Sequence, residues 1–275
     1  MFEKIIGHEE SKEILISDIQ NDKVSHAYLF SGIEGVGKKE LALKFAKKLL
    51  NTENLSTCVD FKYIDKLPDK KDIIVEQVRD KIVNDVHVAP ATCNHKVYII
   101  NDAHLMNSSA QNALLKTLEE PPHYVVIILI THSEEELLTT VISRVKPIKF
   151  SKLKPSEIDL LTDEQVGKKL TLEQQEYANG SLKIALELLK DDNKYDKINV
   201  CISRIKNKDK LGIMKALEEV NFKDEETFKY FEYLFLKNNE YSNVPIVEYV
   251  RRRMLENANE DIVKQAFMLK ILRKE

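Results

Sequence analysis

Tryptophan is absent from this chain of 275 residues, and glycine, proline and cysteine are scarce, at seven, seven and three. So little glycine and proline excludes a collagen-like or low-complexity polypeptide. The cysteines, Cys58, Cys93 and Cys201, are too few and too scattered for a disulfide framework or a four-ligand zinc site, and all three read as reduced thiols. No apolar run approaches the ~18 to 20 residues that cross a bilayer, and charged residues follow Gly7 without the apolar core of a signal peptide. The expectation is a cytoplasmic protein that does not engage membranes. A surplus of either charge is missing as well: 42 Lys and Arg against 45 Asp and Glu leave a net charge of -3. Bulk electrostatics therefore offers no basis for nucleic-acid binding, and any DNA contact must be local or made by a partner.

What is present is the composition of a folded, water-soluble chain with polar faces, 43% hydrophobic and 32% charged. The length allows two or three domains. Three of the seven glycines, Gly32, Gly35 and Gly37, fall between a strand-like run, Ala27 to Phe30, and a helical pattern with Leu41, Phe45 and Leu49 on one face. Further β-branched or aromatic runs at Phe61 to Ile64, Val97 to Ile100 and Val125 to Ile130 alternate with helix-like segments. Such alternation predicts an α/β fold, a parallel sheet covered by helices, because parallel strands need crossovers and are apolar throughout. The helix predicted over Asn107 to Glu120 stops at Pro121-Pro122, and a fifth short strand fits Pro147 to Phe150. Beyond Phe150 only helical patterns remain, which places domain boundaries near 150 and, in the polar stretch Asp191 to Lys194, near 192. Phe228, Phe231 and Phe235 share one helical face; the spacing fits a bundle core or a subunit-packing surface. Arg251-Arg252-Arg253 is a basic run of the kind usually found on a solvated helix face.

The segment from Gly32 to Lys39 matches the phosphate-loop pattern, two glycines spaced by four residues and then Lys38, and departs from it at the last position. In such a loop backbone amides curl around phosphates at a helix N-terminus, and the lysine neutralises the β and γ groups. The next residue normally places a hydroxyl on Mg²⁺; Lys39 has no lone pair to offer when protonated. A second ligand is expected as an Asp at a neighbouring strand tip, followed by a Glu that orients water. Here the run Val97 to His104 has Asn101 in the first place and Asp102 in the second, an amide without charge and a carboxylate one methylene shorter. Three departures in the metal and water positions predict nucleotide binding without turnover at most, since phosphoryl transfer depends on positioning and charge neutralisation.

Four stretches together resemble the AAA+ clamp-loader subunits of bacterial DNA polymerase III, and within them the delta prime type: His26 to Gly32, Val97 to His104, Gln111 to Pro122, and Leu138 to Arg144. The resemblance covers residues 1 to about 190. It implies three parts: an AAA+ nucleotide-binding-like domain at 1–150, a small helical lid at 151–192 and an all-helical collar for oligomerisation at 193–275. It also implies a hetero-pentameric ring with gamma/tau ATPase subunits and a delta subunit, which loads a sliding clamp on primed DNA, so that DNA is met through the assembly. Ser143-Arg144 falls on the family's Ser-Arg-Cys motif, with Val145 in place of Cys; the resemblance makes Arg144 an arginine finger acting in trans on the neighbour's ATP. Gly32, Gly35, Gly37, Lys38, Lys39 and Asp102 fall on the nucleotide site, Thr131 lies near the sensor position, and Lys183, in Asn179 to Lys183, stands where active motors tend to have Arg. The family's zinc module, four cysteines after the loop helix, is reduced to Cys58, so no zinc and no required cofactor are expected, while ATP or ADP binding stays open. The leading expectation is a subunit of the polymerase holoenzyme without ATPase activity of its own. An active gamma/tau-like motor is the second reading, and a free-standing DNA-binding module the third and weakest.

Overall fold

The computed structural model describes Phe2, residues 5–190 and residues 192–273. Asp191, at the second expected boundary, lies outside the described residues. The chain packs as two compact units, one running up to Lys169 and including Ala178–Lys183, the other formed by Leu170–Tyr177 and the chain from Ile184 onward.

In the first unit, helix α1 (Glu9–Gln20) precedes strand β1 (Ala27–Ser31), helix α2 (Lys38–Leu49) and strand β2 (Phe61–Ile64). A short α3 (Val75–Val78) continues into a π-turn at Arg79–Val83, followed by β3 (Lys96–Ile100), α4 (Ser108–Glu119), β4 (Val125–Thr131), α5 (Thr139–Ile142), β5 (Lys146–Lys149) and α6 (Pro155–Val166). Among the described residues the five strands form one parallel sheet in the order β2-β3-β4-β1-β5. The order follows from composition. β4, Val-Val-Ile-Ile-Leu-Ile-Thr, is buried at every position and sits at the centre, where both faces are covered. β5, Lys-Pro-Ile-Lys, takes an edge, where the missing amide of Pro147 costs no ladder bond. The sheet, the expected strands and the α/β class agree with the sequence reading. Consecutive strands β1 and β2 lie three places apart, and in open α/β sheets ligands usually bind outside the carboxyl ends of strands next to such a reversal of order.

In the second unit the helices are α7 (Leu172–Ala178) and α8 (Leu182–Lys190), whose Ala178, Leu182 and Lys183 belong to the first unit, then α9 (Asp192–Lys206), α10 (Lys210–Glu219), α11 (Glu225–Lys237), α12 (Val244–Leu255) and α13 (Glu260–Leu272). Phe228, Phe231 and Phe235 are buried, and Phe222 meets Phe228 and Phe267 edge-on, so the aromatic face is the core of this unit. Each arginine of the basic run faces a glutamate: Arg251 pairs with Glu225 and Glu248, and Arg252 and Arg253 with Glu256. The run is neutralised locally.

Candidate functional site

The glycine loop begins where β1 ends. At Gly32 a Cβ would run into the carbonyl of Phe150, and at Gly35, with φ 79°, it would collide with Ser181 and Lys183. Both positions therefore require glycine for space as well as for backbone angle. The segment 181–183 packs on the loop directly: Leu182 N donates to Gly35 O at 2.9 Å, Ser181 Oγ to Glu34 O at 2.8 Å, and Lys183 Nζ pairs with Glu34 at 2.7 Å. Gly37 caps α2 in the left-handed region, and as a glycine it supplies no side-chain acceptor to the first amides of that helix. Such an end presents amides and a positive dipole to an anion.

Lys38 is buried, and its ammonium donates to Gly32 O and Ile33 O at 2.6 Å each. Burial lowers its pKa to about 8, against the pull of Asp102 and Glu34. Lys38 thus fills its own loop, and an arriving phosphate must draw it away from two carbonyls. On the far side of the loop, His8 Nε2 meets Val36 O at 2.7 Å, and burial lowers the pKa of that imidazole.

Lys39 turns the other way. Its ammonium lies 5.0 Å from the centre of the Tyr63 ring, and the bond to the Tyr63 hydroxyl, opposed by burial, raises its pKa. At the tip of β3, Asn101 Nδ2 donates to Asp102 Oδ2 at 2.9 Å, and Asp102 adopts φ 48°. Mg²⁺ requires near-octahedral oxygen ligands, usually with carboxylates. The residues present offer a cation, an amide and one carboxylate already engaged by that amide. This donor set does not fit the ion. Among the described residues no group of three or more His, Cys, Asp or Glu is placed to hold any metal.

Thr131 ends β4 fully buried; its hydroxyl donates to Ser133 O, accepts from Ser133 N and lies 3.3 Å from His104 Nδ1. His104 packs on His132, ring centres 3.9 Å apart, and burial, then the neighbouring imidazole, lowers its pKa. Ser143 and Arg144 follow the short helix α5. Arg144 Nη1 donates to Thr140 O and Ser143 Oγ, and Nη2 pairs with Glu119 at 2.8 Å. The structure therefore gathers Gly32, Gly35, Gly37, Lys38, Asp102 and Lys183 around one loop, turns Lys39 toward Tyr63, and holds Arg144 against the end of α4.

Sequence reasoning missed the residues that hold this arrangement. The buried amide of Gln111 donates to Met106 O and Glu136 O, both at 3.0 Å, and accepts from Leu138 N at 2.7 Å, so one side chain ties α4 to the turns after β3 and β4. Gln111 opens the stretch Gln111 to Pro122 and is, with Thr117, one of two polar residues on the buried face of its helix, which was a readable signal. His8 and Tyr63 carried none.

The family described as DNA polymerase III, delta subunit matches residues 7–154. The chain is 32% identical over 228 residues to DNA polymerase III subunit gamma of Buchnera aphidicola subsp. Schizaphis graminum, covering 72% of this chain and 60% of that one. It is 31% identical over 160 residues to subunit delta' of Bacillus subtilis, covering 54% and 48%. The matched parts amount to 60%, 34% and 53% of three gamma and tau relatives, so this chain spans only part of their length. A gamma subunit-related protein of Thermotoga maritima shares the fold, with TM-score 0.61 over 97% of this chain and 99% of that one, at 18% identity.

Proposed function

Since the chain belongs to the DNA polymerase III delta-subunit family, clamp-loader proteins of the AAA+ class, we propose that it is a non-hydrolysing subunit of the delta prime type. The observation that carries this reading is Lys39: a cation stands where a metal-binding hydroxyl belongs, and it is engaged by Tyr63. Asn101 and Asp102 support it at the tip of β3. In this reading Lys38 and the amides of the loop hold a nucleotide's phosphates weakly and without Mg²⁺. Residues 151–192 serve as a lid and 193–275 as a collar. The partners are gamma/tau-like ATPase subunits and a delta subunit, with the sliding clamp and primed DNA reached through the assembly, in the cytoplasm.

The catalytic contribution in this reading is Arg144, offered to the ATP of an adjoining subunit. The Glu119 pair does not prevent that. An exposed ion pair is worth about 0 to 1 kcal/mol, whereas an arginine finger supplies ~10³ to 10⁵ in rate, about 4 to 7 kcal/mol of transition-state stabilisation. Release from Glu119 is the smaller quantity. The test is ATP turnover by the purified chain with Mg²⁺, expected at background; turnover well above it rejects the reading. A second reading, an active motor subunit, draws on Gly32, Gly37 and Lys38 and on the similarity to gamma and tau proteins. Titration of a fluorescent ATP analogue separates the two: strong Mg²⁺ dependence belongs to the motor, weak metal-independent binding to the delta prime type.

A further inference from the structure

Away from the loop, at the amino ends of the strands, the pairing of β2 with β3 brings two thiols together. The register sets Phe61 beside Val97, an offset of 97 - 61 = 36 positions. Carried back to Cys58, that offset reaches position 94, one residue from Cys93. The two Sγ atoms lie 3.9 Å apart, and both cysteines are half-buried, within reach of a small solute. Asp60 fixes the arrangement. Its carboxylate accepts from the amides of Ala91 and Thr92 at 2.8 Å and of Cys93 at 3.0 Å, and from the Thr92 hydroxyl at 3.0 Å. On its own strand, Phe61 N donates to Cys58 O at 3.2 Å, and Val97 N to Asp60 O at 2.9 Å. One carboxylate thus anchors the loop that carries Cys93 two residues along the chain from Cys58.

We propose that Cys58 and Cys93 are a paired-thiol modification site, which a peroxide converts into an intrachain disulfide and a dithiol restores. A disulfide requires an S–S distance of about 2.05 Å, so the sulfurs must approach by about 2 Å, which side-chain rotation at two loop residues can provide. In the first step one thiolate attacks a peroxide oxygen; the O–O bond breaks, and a sulfenic acid and hydroxide form. The second thiolate then attacks the sulfenic sulfur, the S–S bond forms, and hydroxide leaves. Two thiols are oxidised, one peroxide is reduced, and two waters result. Burial raises the Cys58 thiol above its ordinary range, which slows the attack near neutral pH without changing which sulfur lies beside it. Cys201 is fully buried in the other unit, where burial pushes its thiol up to about 12, so it serves as the unreactive reference.

The test treats the full chain with a small excess of hydrogen peroxide, then counts thiols after denaturation and maps tryptic peptides by mass. The expected result is loss of two of the three thiols, a peptide joining Cys58 to Cys93, a mass lower by two hydrogens, and full reversal by dithiothreitol. Cys201→Ser should oxidise as the wild type does, and Cys93→Ser should form no intrachain bond. Sulfinic acid at either residue, disulfide-linked dimers, or an unmodified protein, each without the 58–93 peptide, would overturn the proposal. The wild-type arm decides the matter even where a variant fails to fold.

Discussion

Gly35 and Gly167 both have positive φ, 79° and 68°, but only one is crowded. A Cβ at Gly167 meets nothing within 4 Å, while at Gly35 it meets Ser181 and Lys183. An L-residue in the left-handed region costs about 1 to 2 kcal/mol, so Gly167→Ala should lose about that much. Gly35→Ala should lose more, about 2 to 4 kcal/mol, because a packed segment must also shift. Urea denaturation of the two variants measures the difference, and equal losses would refute the crowding. Lys38 makes a pH prediction at the same scale. Phosphate prefers the ammonium form, so affinity for an ATP analogue should fall as pH rises through about 8, where Lys38 loses its proton. Stability should move oppositely. The folded pKa lies below the ordinary 10.5, the unfolded chain binds more protons between about 8 and 10.5, and stability therefore rises with pH across that window. Binding titrations and thermal melts on either side of pH 8 check both signs. The glycines and Lys38 were legible in the sequence as a motif. That Lys38 is seated on its own loop carbonyls was not, because a motif specifies residue spacing and leaves side-chain torsions to the surrounding packing.

Helix α4 and the loop after residue 90 each depend on one buried polar side chain. Gln111 satisfies two carbonyls and one amide, and its loss leaves the buried carbonyl of Met106 without this donor and unties the part-buried groups of Glu136 and Leu138. Gln111→Ala should cost about 2 to 4 kcal/mol, more than a surface substitution on the same helix, by chemical denaturation. Asp60 carries the loop at 91–93. Burial opposes its ionisation, but the donors from Ala91, Thr92 and Cys93 outweigh it and hold the carboxyl below its ordinary value. A depressed carboxyl contributes stability above its unfolded pKa of ~3.9, and that stability is lost as pH falls through the lower folded value. Asp60→Asn should therefore be less stable at neutral pH and should lose less on acidification, as thermal melts from neutral pH to below 4 would show. The strands and the helix at Asn107 to Glu120 were readable because their apolar periods of 2 and 3.6 are properties of neighbouring residues. Apart from the Gln111 bond to Met106, Gln111 and Asp60 bind groups 25 or more positions away, and no local period records such partners.

For the molecule as a subunit, the prediction concerns Arg144. In a loader reconstituted with the proposed ATPase partners on primed DNA, Arg144→Ala should fold and assemble normally yet lower ATP turnover at least several-fold, whereas Glu119→Gln, which removes the ion-pair partner of the same side chain, should leave turnover unchanged or higher. Undiminished turnover with Arg144→Ala would remove the trans role. The sequence by itself determined the α/β class, the strand order along the chain, the glycine loop, the departures at Lys39, Asn101 and Asp102, and the family. All of these lie in composition, local period and short contiguous motifs. Only the tertiary structure decided that Lys39 faces Tyr63, that Arg144 rests on Glu119, that the segment 181–183 closes on the loop, and that Cys58 meets Cys93. Each of these joins residues that sheet register and helix packing place side by side, and the distance between such residues in space is independent of their separation along the chain.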